Sequence, residues 1–384
     1  MENTKIFVMT HKAFTPPEDP MYTPLQVGRA ENGDLGLGFL GDDTGENISD
    51  LNHLFGELTG LYWIWQNYNG PETYVGINHY RRYFTNEAGE FLTEADIERI
   101  FQDYDLIASE TEDTGRSYEE VYAEAHNIHD LMAVGRSLEK LYPEYKADFD
   151  KALSMSRIYS ANLLIMDRQQ YDAYCKWMFE ILFDATAEID VSGYDLYHAR
   201  VYGFLSEGML TVWALHHGLK VYEAHIGYTD EKAETKELKL AIGQLLKLGQ
   251  FAQAEVMFNQ IMSARPDISL PMSDIRREIP LIQQILYIGN QEIAHGLHGL
   301  FEQSTDLGEL MNIYGEYYKA LQELSGATGE KKERDSAEVV AWLASHGFTE
   351  VTLEVMLHFD MYKKYGYKPL AEDKIREVLP RVPQ

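Results

Sequence analysis

His79, Arg81 and Arg82 stand together at the end of an apolar run, in the segment YVGINHYRRYF (Tyr74 to Phe84). Guanidinium groups pair with phosphate oxygens through two parallel hydrogen bonds, and an imidazolium adds a third donor. The island therefore suits an anion, and a phosphate above all. The alternative is a solvated strand end whose arginines pair with neighbouring carboxylates, since exposed charge is usually only exposed. The rest of the chain is strongly acidic, with a formal net charge of −29 over 384 residues. That balance argues against a sequence-independent grip on nucleic acid, which needs a basic footprint. It leaves room for one nucleotide in a local basic pocket.

Other residues carry weaker signals. Asp42 and Asp43, adjacent in the Gly-rich loop LGDDTGENIS, either hold a hard cation or shape a turn. Asn47 in the same loop either faces a ligand or donates locally. Glu207, in GFLSEGMLTVW, would be a general base if it were shielded beside a hydroxyl. It would equally be favoured by the helix dipole in a first turn. His126 and His129 share a helix face at i, i+3, followed by Asp130. With no HExxH and no cysteine pair, a zinc site there lacks ligands. Cys175, the single cysteine, lies among apolar neighbours in YDAYCKWMF and reads as a buried thiol. With one cysteine, no disulfide can form within the chain, and a reducing cytoplasm is the natural setting. There is no GxxxxGK[ST] loop, no GxGxxG after the first strand and no GxSxG elbow. P-loop phosphoryl transfer, Rossmann redox chemistry and α/β-hydrolase chemistry all lose ground.

These residues must be positioned by an α/β scaffold. KIFVMTH reads as a first strand, without a secretory cleavage pattern. After a Gly- and Asp-rich loop, Ser49 is the expected N-cap of a helix whose apolar face is Leu51, Leu54, Phe55, Leu58, Leu61, Tyr62 and Trp65. YVGIN, YDLIAS, IYSANLLIMD (Ile158 to Asp167) and KVYEAHIGY read as further strands. EADIERIFQD, residues 117 to 153, QQYDAYCKWMFEILFDA and GFLSEGMLTVWALHH read as helices. The alternation predicts a mainly parallel sheet flanked by helices, in which ligands bind beyond the carboxyl ends of strands. The character changes near residue 231. LLKLGQFAQAEVMFNQIMSARPD resembles one helical hairpin of the tetratricopeptide type, with Pro266 after its second helix. More amphipathic helices follow, interrupted by the flexible, charged stretch SGATGEKKERDS. The expected organisation is an α/β domain over residues 1–231 and an all-α accessory domain over 232–384. No stretch approaches the roughly twenty apolar residues of a membrane span.

Several segments together resemble the DUF4422 family of capsular and exopolysaccharide biosynthesis clusters, which is related to GT-A glycosyltransferases. They are KIFVMTHKAF, MYTPLQVGRA, GDDTGENIS with ELTGLYWIWQN, YVGINHYRRYF, YSANLLIMDRQQYDAYCKWMFEIL and RVYGFLSEGMLTVW. They run in order over about residues 4 to 228; the tail after 231 lies outside them. The resemblance implies transfer of a hexose, of the galactose type, from a UDP-sugar to a hydroxyl of a growing bacterial surface glycan. It implies that Thr10, His11, Gln26, Arg29, Asp42, Asp43, Asn47, His79, Arg81 and Arg82 face the nucleotide-sugar. Glu207 would be the base, and His129, Asp130 and Asn162 would contact the acceptor. Many GT-A enzymes hold a divalent metal on an Asp-x-Asp motif; the comparable strand end here reads His79-Tyr80-Arg81. Transfer without a metal is therefore expected, with manganese or magnesium on Asp42 and Asp43 as the alternative. Family members are expected to carry a basic residue after the Glu, where this chain has Gly208. The expected setting is the cytoplasm, peripheral to the inner membrane face, with a glycan or lipid-linked acceptor. The C-terminal helices would pack, recruit a protein partner or form a homodimer. Alternatives are a protein glycosyltransferase extending glycans on a secreted adhesin, and a non-catalytic nucleotide-binding scaffold.

Overall fold

The computed structural model describes residues 3–270, 272–325, 335–358 and 370–379. The chain forms two compact units, Met1–Thr229 and Asp230–Gln384. Most of the stretch SGATGEKKERDS, residues 326–334, lies outside the described residues.

The first unit is built on eight strands: β1 (Thr4–Thr10), β2 (Tyr22–Gln26), β3 (Leu40–Gly41), β4 (Tyr74–His79), β5 (Arg82–Thr85), β6 (Leu106–Ser109), β7 (Leu164–Asp167) and β8 (Val221–Tyr228). The strands β3, β2, β1 and β4 lie side by side and parallel. Beyond β4 the pattern changes. Strand β5 pairs antiparallel with β4 and β8, β7 pairs antiparallel with β4 and β6, and β6 runs parallel to β8. The strands β4, β5, β8, β6 and β7 thus close into a small ring. The sheet is mixed, which corrects the expectation of a mainly parallel one. The physical reason lies in the basic island. Only Tyr80 and Arg81 separate β4 from β5, and His79 pairs with Arg82. A connection that short can only reverse the chain, because a parallel crossover needs a dozen residues or more.

Alternation along the strands sorts their side chains onto two faces. Phe7, Met9, Val75 and Ile77 pack against helical residues such as Leu58, Leu61 and Leu205. Ile6, Val8, Ile107, Ile165 and Ala224 belong to a second cluster, on the other face.

Three elements differ from their sequence reading. Ser49 does not cap a helix: it begins a 3-10 turn, Ser49–Leu51. Its hydroxyl donates to Asp42 and accepts the Ala30 N–H. The apolar helix that follows is split into Asn52–Phe55 and Leu58–Asn67. Gly56, at φ 56° and ψ −134°, breaks it in a conformation that favours glycine. Only the last four residues of IYSANLLIMD form a strand, because Ala161 and Asn162 take left-handed conformations, at φ 66° and 53°. Similarly, GFLSEGMLTVWALHH is two helices, Val201–Glu207 and Met209–His217, meeting at Gly208.

The second unit is helical throughout its described residues. Ala233–Lys247 and Phe251–Ala264 form the hairpin read from the sequence, joined through Gly249 at φ 70°. Longer helices, Ile279–Ala294 and Leu307–Ser325, complete its core. Among the described residues of the chain, no helix is long and apolar enough to cross a membrane.

Candidate active site

The hairpin turn after β4 places His79 at the strand end, with Arg81 buried and Arg82 half-buried beside it. His79 shares a strand face with Val75 and Ile77, which points it toward the helical layer. There it meets two chain breaks. The break at Gly56 brings Glu57 to the start of the Leu58–Asn67 helix. The left-handed pair Ala161-Asn162 brings the Asn162 amide to the same place: its Nδ2 donates to Glu57 Oε1 at 2.9 Å. Asn162 Oδ1 accepts from the Ser206 hydroxyl at 3.0 Å. Arg200 Nη2 reaches Glu57 Oε2 at 3.3 Å. A Cβ on Gly56 would come within 3.1 Å of that guanidinium, so glycine serves both the turn and the approach. Asparagine adopts the left-handed region readily, but alanine does not. Strain held at Ala161, beside this network, is of the kind that clusters at functional sites.

Glu207 completes the group, with the Ala161 N–H facing its carboxylate. The two carboxylates are driven apart. Burial and the neighbouring charge of Glu57 push Glu207 up to about 7, against a weaker pull from Arg82, the Ala161 N–H and Arg200. Burial also opposes the charge on Glu57. His79 in its protonated form, the Arg200 guanidinium and the Asn162 amide outweigh it and hold Glu57 below the usual carboxylate range. One carboxylate kept ionised beside another poised near neutrality is an arrangement suited to acid–base work. His79 is pushed down to about 4 by burial and by the guanidiniums of Arg82, Arg81 and Arg200, with Glu57 opposing. It is therefore a neutral imidazole at pH 7, which corrects the expectation of an imidazolium donor. Its Nε2 is buried and has no hydrogen-bond partner among the described residues, a lack that a bound ligand would fill.

The remaining sequence candidates are placed as follows. Thr10 ends β1, and its hydroxyl closes a turn with Lys12. The His11 ring meets Tyr80 edge-on at 5.5 Å, and Phe14 and Phe39 extend this aromatic ledge. Gln26 is buried and ties down the next loop through Gly33 O and Leu35 N. Arg29 pairs with Asp34 and lies 3.7 Å from Asp43. Asp42 is fully buried and accepts four hydrogen bonds, from the Gly28 and Arg29 N–H groups and the Ser49 and Thr59 hydroxyls. Both its oxygens are engaged, so it shapes the loop and has nothing to offer a cation. Asn47 makes local turn bonds to Gly45 and Ser49. Asp43 differs from Asp42: its Oδ1 is buried and has no hydrogen-bond partner among the described residues, although no group of three or more metal-ligating side chains occurs among them. His129 is exposed, whereas Asp130 is buried and bonded to Tyr194. Cys175 is fully buried, and burial pushes its thiol up, as a packing cysteine requires.

The structure thus gathers His79, Arg81, Arg82, Asn162 and Glu207 around one centre. It adds Glu57 and Arg200, which sequence reasoning missed although both lie inside or beside matched segments. Gly208 also gains an explanation. A Cβ there would come within 2.7 Å of the Tyr118 ring, so that ring occupies the space beside Glu207 that a longer side chain at 208 would need.

Comparison with known proteins bears on this geometry. The solved apo structure of WbbM, a bifunctional glycosyltransferase, is similar with a TM-score of 0.54 and 28% sequence identity, covering 60% of this chain and 46% of WbbM. The chain therefore matches less than half the length of that protein. No curated protein matches it. Residues 5–218 match the domain of unknown function DUF4422, and the chain belongs to that family.

Proposed function

We propose that the first unit is a glycosyltransferase that moves a hexose, of the galactose type, from a UDP-sugar to a hydroxyl of a growing surface glycan. The observation that carries this reading is Glu207, half-buried and pushed up to about 7 within reach of the influence of Arg82 and Arg200. The likeness to WbbM supports the class of reaction. In this mechanism Glu207 takes the proton of the acceptor hydroxyl as its oxygen attacks the anomeric carbon. The bond from that carbon to the β-phosphate oxygen breaks, and its electron pair leaves with UDP. Arg81 and Arg82 stabilise the charge that develops there, and neutral His79 donates one N–H. These groups occupy the strand end where many related enzymes hold a metal, so the transfer is metal-independent. The aromatic ledge of His11, Phe14, Phe39 and Tyr80 offers ring faces to the uracil. Glu57 keeps Arg200 and Asn162 in place and holds a negative charge beside the base.

The test is a screen of UDP-hexoses for UDP release in the absence of acceptor, with water as nucleophile. Release with one donor, reduced at least about a hundredfold in Glu207→Gln, is the expected result, since a positioned base contributes roughly 10²–10⁴. A variant that binds UDP yet releases it at the wild-type rate removes Glu207 from the role. No release and no binding with any donor removes the transferase reading. We place the protein in the cytoplasm, at the inner membrane face, where a lipid-linked acceptor would meet it.

A further inference from the structure

A cavity of about 260 Å³ is lined by His126, Asn127, Asp130, Tyr194 and His198, with Ala125 and Val201 as apolar wall. Its polar atoms form an ordered set. Asn127 Nδ2 donates to the Tyr194 hydroxyl at 2.8 Å, and that hydroxyl donates to Asp130 Oδ2. His198 is fixed between Asp195 and the Ala125 carbonyl. The other oxygen of Asp130 and the ring nitrogens of His126 make no hydrogen bond with any described residue. The His126 ring is held by stacking on Phe204 at 4.3 Å. Burial, with His198 nearby, pushes it down to about 4, so it offers one donor and one acceptor at neutral pH.

This chemistry selects among ligands. The wall carries carboxylates of Asp130 and Glu124 and no lysine or arginine, so it would repel a phosphate. It presents acceptors and donors side by side, and aliphatic surface for C–H groups. A sugar ring has that composition: hydroxyls that both donate and accept, around an apolar face. The volume lies just below the roughly 300–1,000 Å³ of pockets that enclose drug-sized ligands, which suits a single ring. Position adds a second constraint. Val201 begins the helix that Glu207 ends, and six residue steps rise about 9 Å. Phe204, between them, carries the His126 ring on one side and lies 5.9 Å from the Arg200 guanidinium that also contacts Glu57.

We infer that this cavity is a subsite for a neutral sugar ring of the acceptor glycan, set one or two rings back from the reacting hydroxyl. The inference rests on the transferase reading for the word acceptor, but sugar binding in the cavity can be tested alone. The experiment is saturation-transfer NMR on the full chain with methyl glycosides of galactose, glucose, mannose and N-acetylglucosamine and their disaccharides. Calorimetric binding of UDP is measured in parallel. At least one glycoside should receive saturation from the wild-type chain. Its affinity should fall at least tenfold in Asp130→Asn and in Tyr194→Phe, with UDP affinity unchanged. Absence of transfer to every glycoside, or transfer that survives both substitutions, overturns the subsite. If Asp130→Asn alone loses UDP binding through misfolding, Tyr194→Phe, which removes one hydroxyl, decides. Loss of UDP binding by the wild-type chain would instead strike the transferase reading, and leave the glycoside result to stand by itself.

Discussion

Glu207 makes the sharpest prediction. Its displacement from 4.5 to about 7 corresponds to about 3 kcal/mol in favour of the neutral acid, at 1.36 kcal/mol per pH unit. A base must be deprotonated to act, so activity rises with pH as Glu207 ionises. With a midpoint near 7, about a tenth of the molecules carry the base form at pH 6 and about nine tenths at pH 8. The value of kcat/KM should therefore grow roughly tenfold between those pH values. A carboxyl at 4.5 would be ionised at both and the profile would be flat. The assay is kcat/KM for UDP release from the donor chosen by the screen, which reports the ionisation of the free enzyme.

Glu57→Gln separates the two causes of the displacement. The amide still accepts from Asn162, but the negative neighbour is gone. The acid limb should move to lower pH. It should stop well short of 4.5, because burial is the larger cause and persists. A wild-type profile that is flat from pH 5.5 to 8 refutes the assignment of Glu207 as the titrating base. A Glu57→Gln limb that stays in place or moves up refutes the claim that Glu57 holds Glu207 near neutrality.

Further outcomes follow from the same geometry. A carboxyl whose folded value is raised contributes stability that is present below its unfolded value and lost as pH rises through about 7; Glu207→Gln should then raise unfolding free energy by about 3 kcal/mol at pH 8 but only about 1 kcal/mol at pH 5, measured by urea denaturation. Equal effects at both pH values would contradict the half-buried, neutral acid. Arg82→Ala should weaken UDP binding by about tenfold or more, the loss of a charge-assisted pair of bonds, while uridine binding, read by the same calorimetry, stays unchanged; equal loss for both ligands would place Arg82 away from the diphosphate. Excess EDTA should leave UDP release at its starting rate, and inhibition reversed by manganese would overturn metal-independent transfer.

The sequence carried the parts of this site that depend on short-range pattern. A basic cluster after an apolar, β-rich run is legible as a strand end with anion-binding side chains, and the structure puts His79 and Arg82 at that end. The reading of a mainly parallel sheet failed because the direction of pairing is not encoded in alternation. The same apolar period serves a parallel or an antiparallel neighbour, and only the two-residue spacing of Tyr80 and Arg81 betrayed the reversal. The charge state of His79 was illegible for another reason. It is set chiefly by how deeply the ring is buried, a property of the assembled fold; the charges of Glu57, Arg82 and Arg81 follow, and Arg200, more than a hundred positions away in the chain, adds the least.

Glu57 shows the limit most clearly. In the run LNHLFGELTGLYW the helical apolar spacing continues across Gly56 almost unbroken, so Glu57 reads as one more polar position on a solvated face. What removes it from that face is a single glycine at φ 56°, which divides the helix and turns the carboxylate toward Asn162. That meeting also needs the left-handed turn at Ala161 and Asn162, inside a stretch whose composition favours a continuous strand. Each departure from local propensity costs free energy where it occurs. Both converge on the two carboxylates, and this is where a violated local preference is expected when function holds the conformation in place. The glycine inside a helical pattern and the Ser-Ala-Asn interruption of a strand pattern were the visible marks of the site. They become informative only as a pair, when the fold brings residues 56 and 161 together.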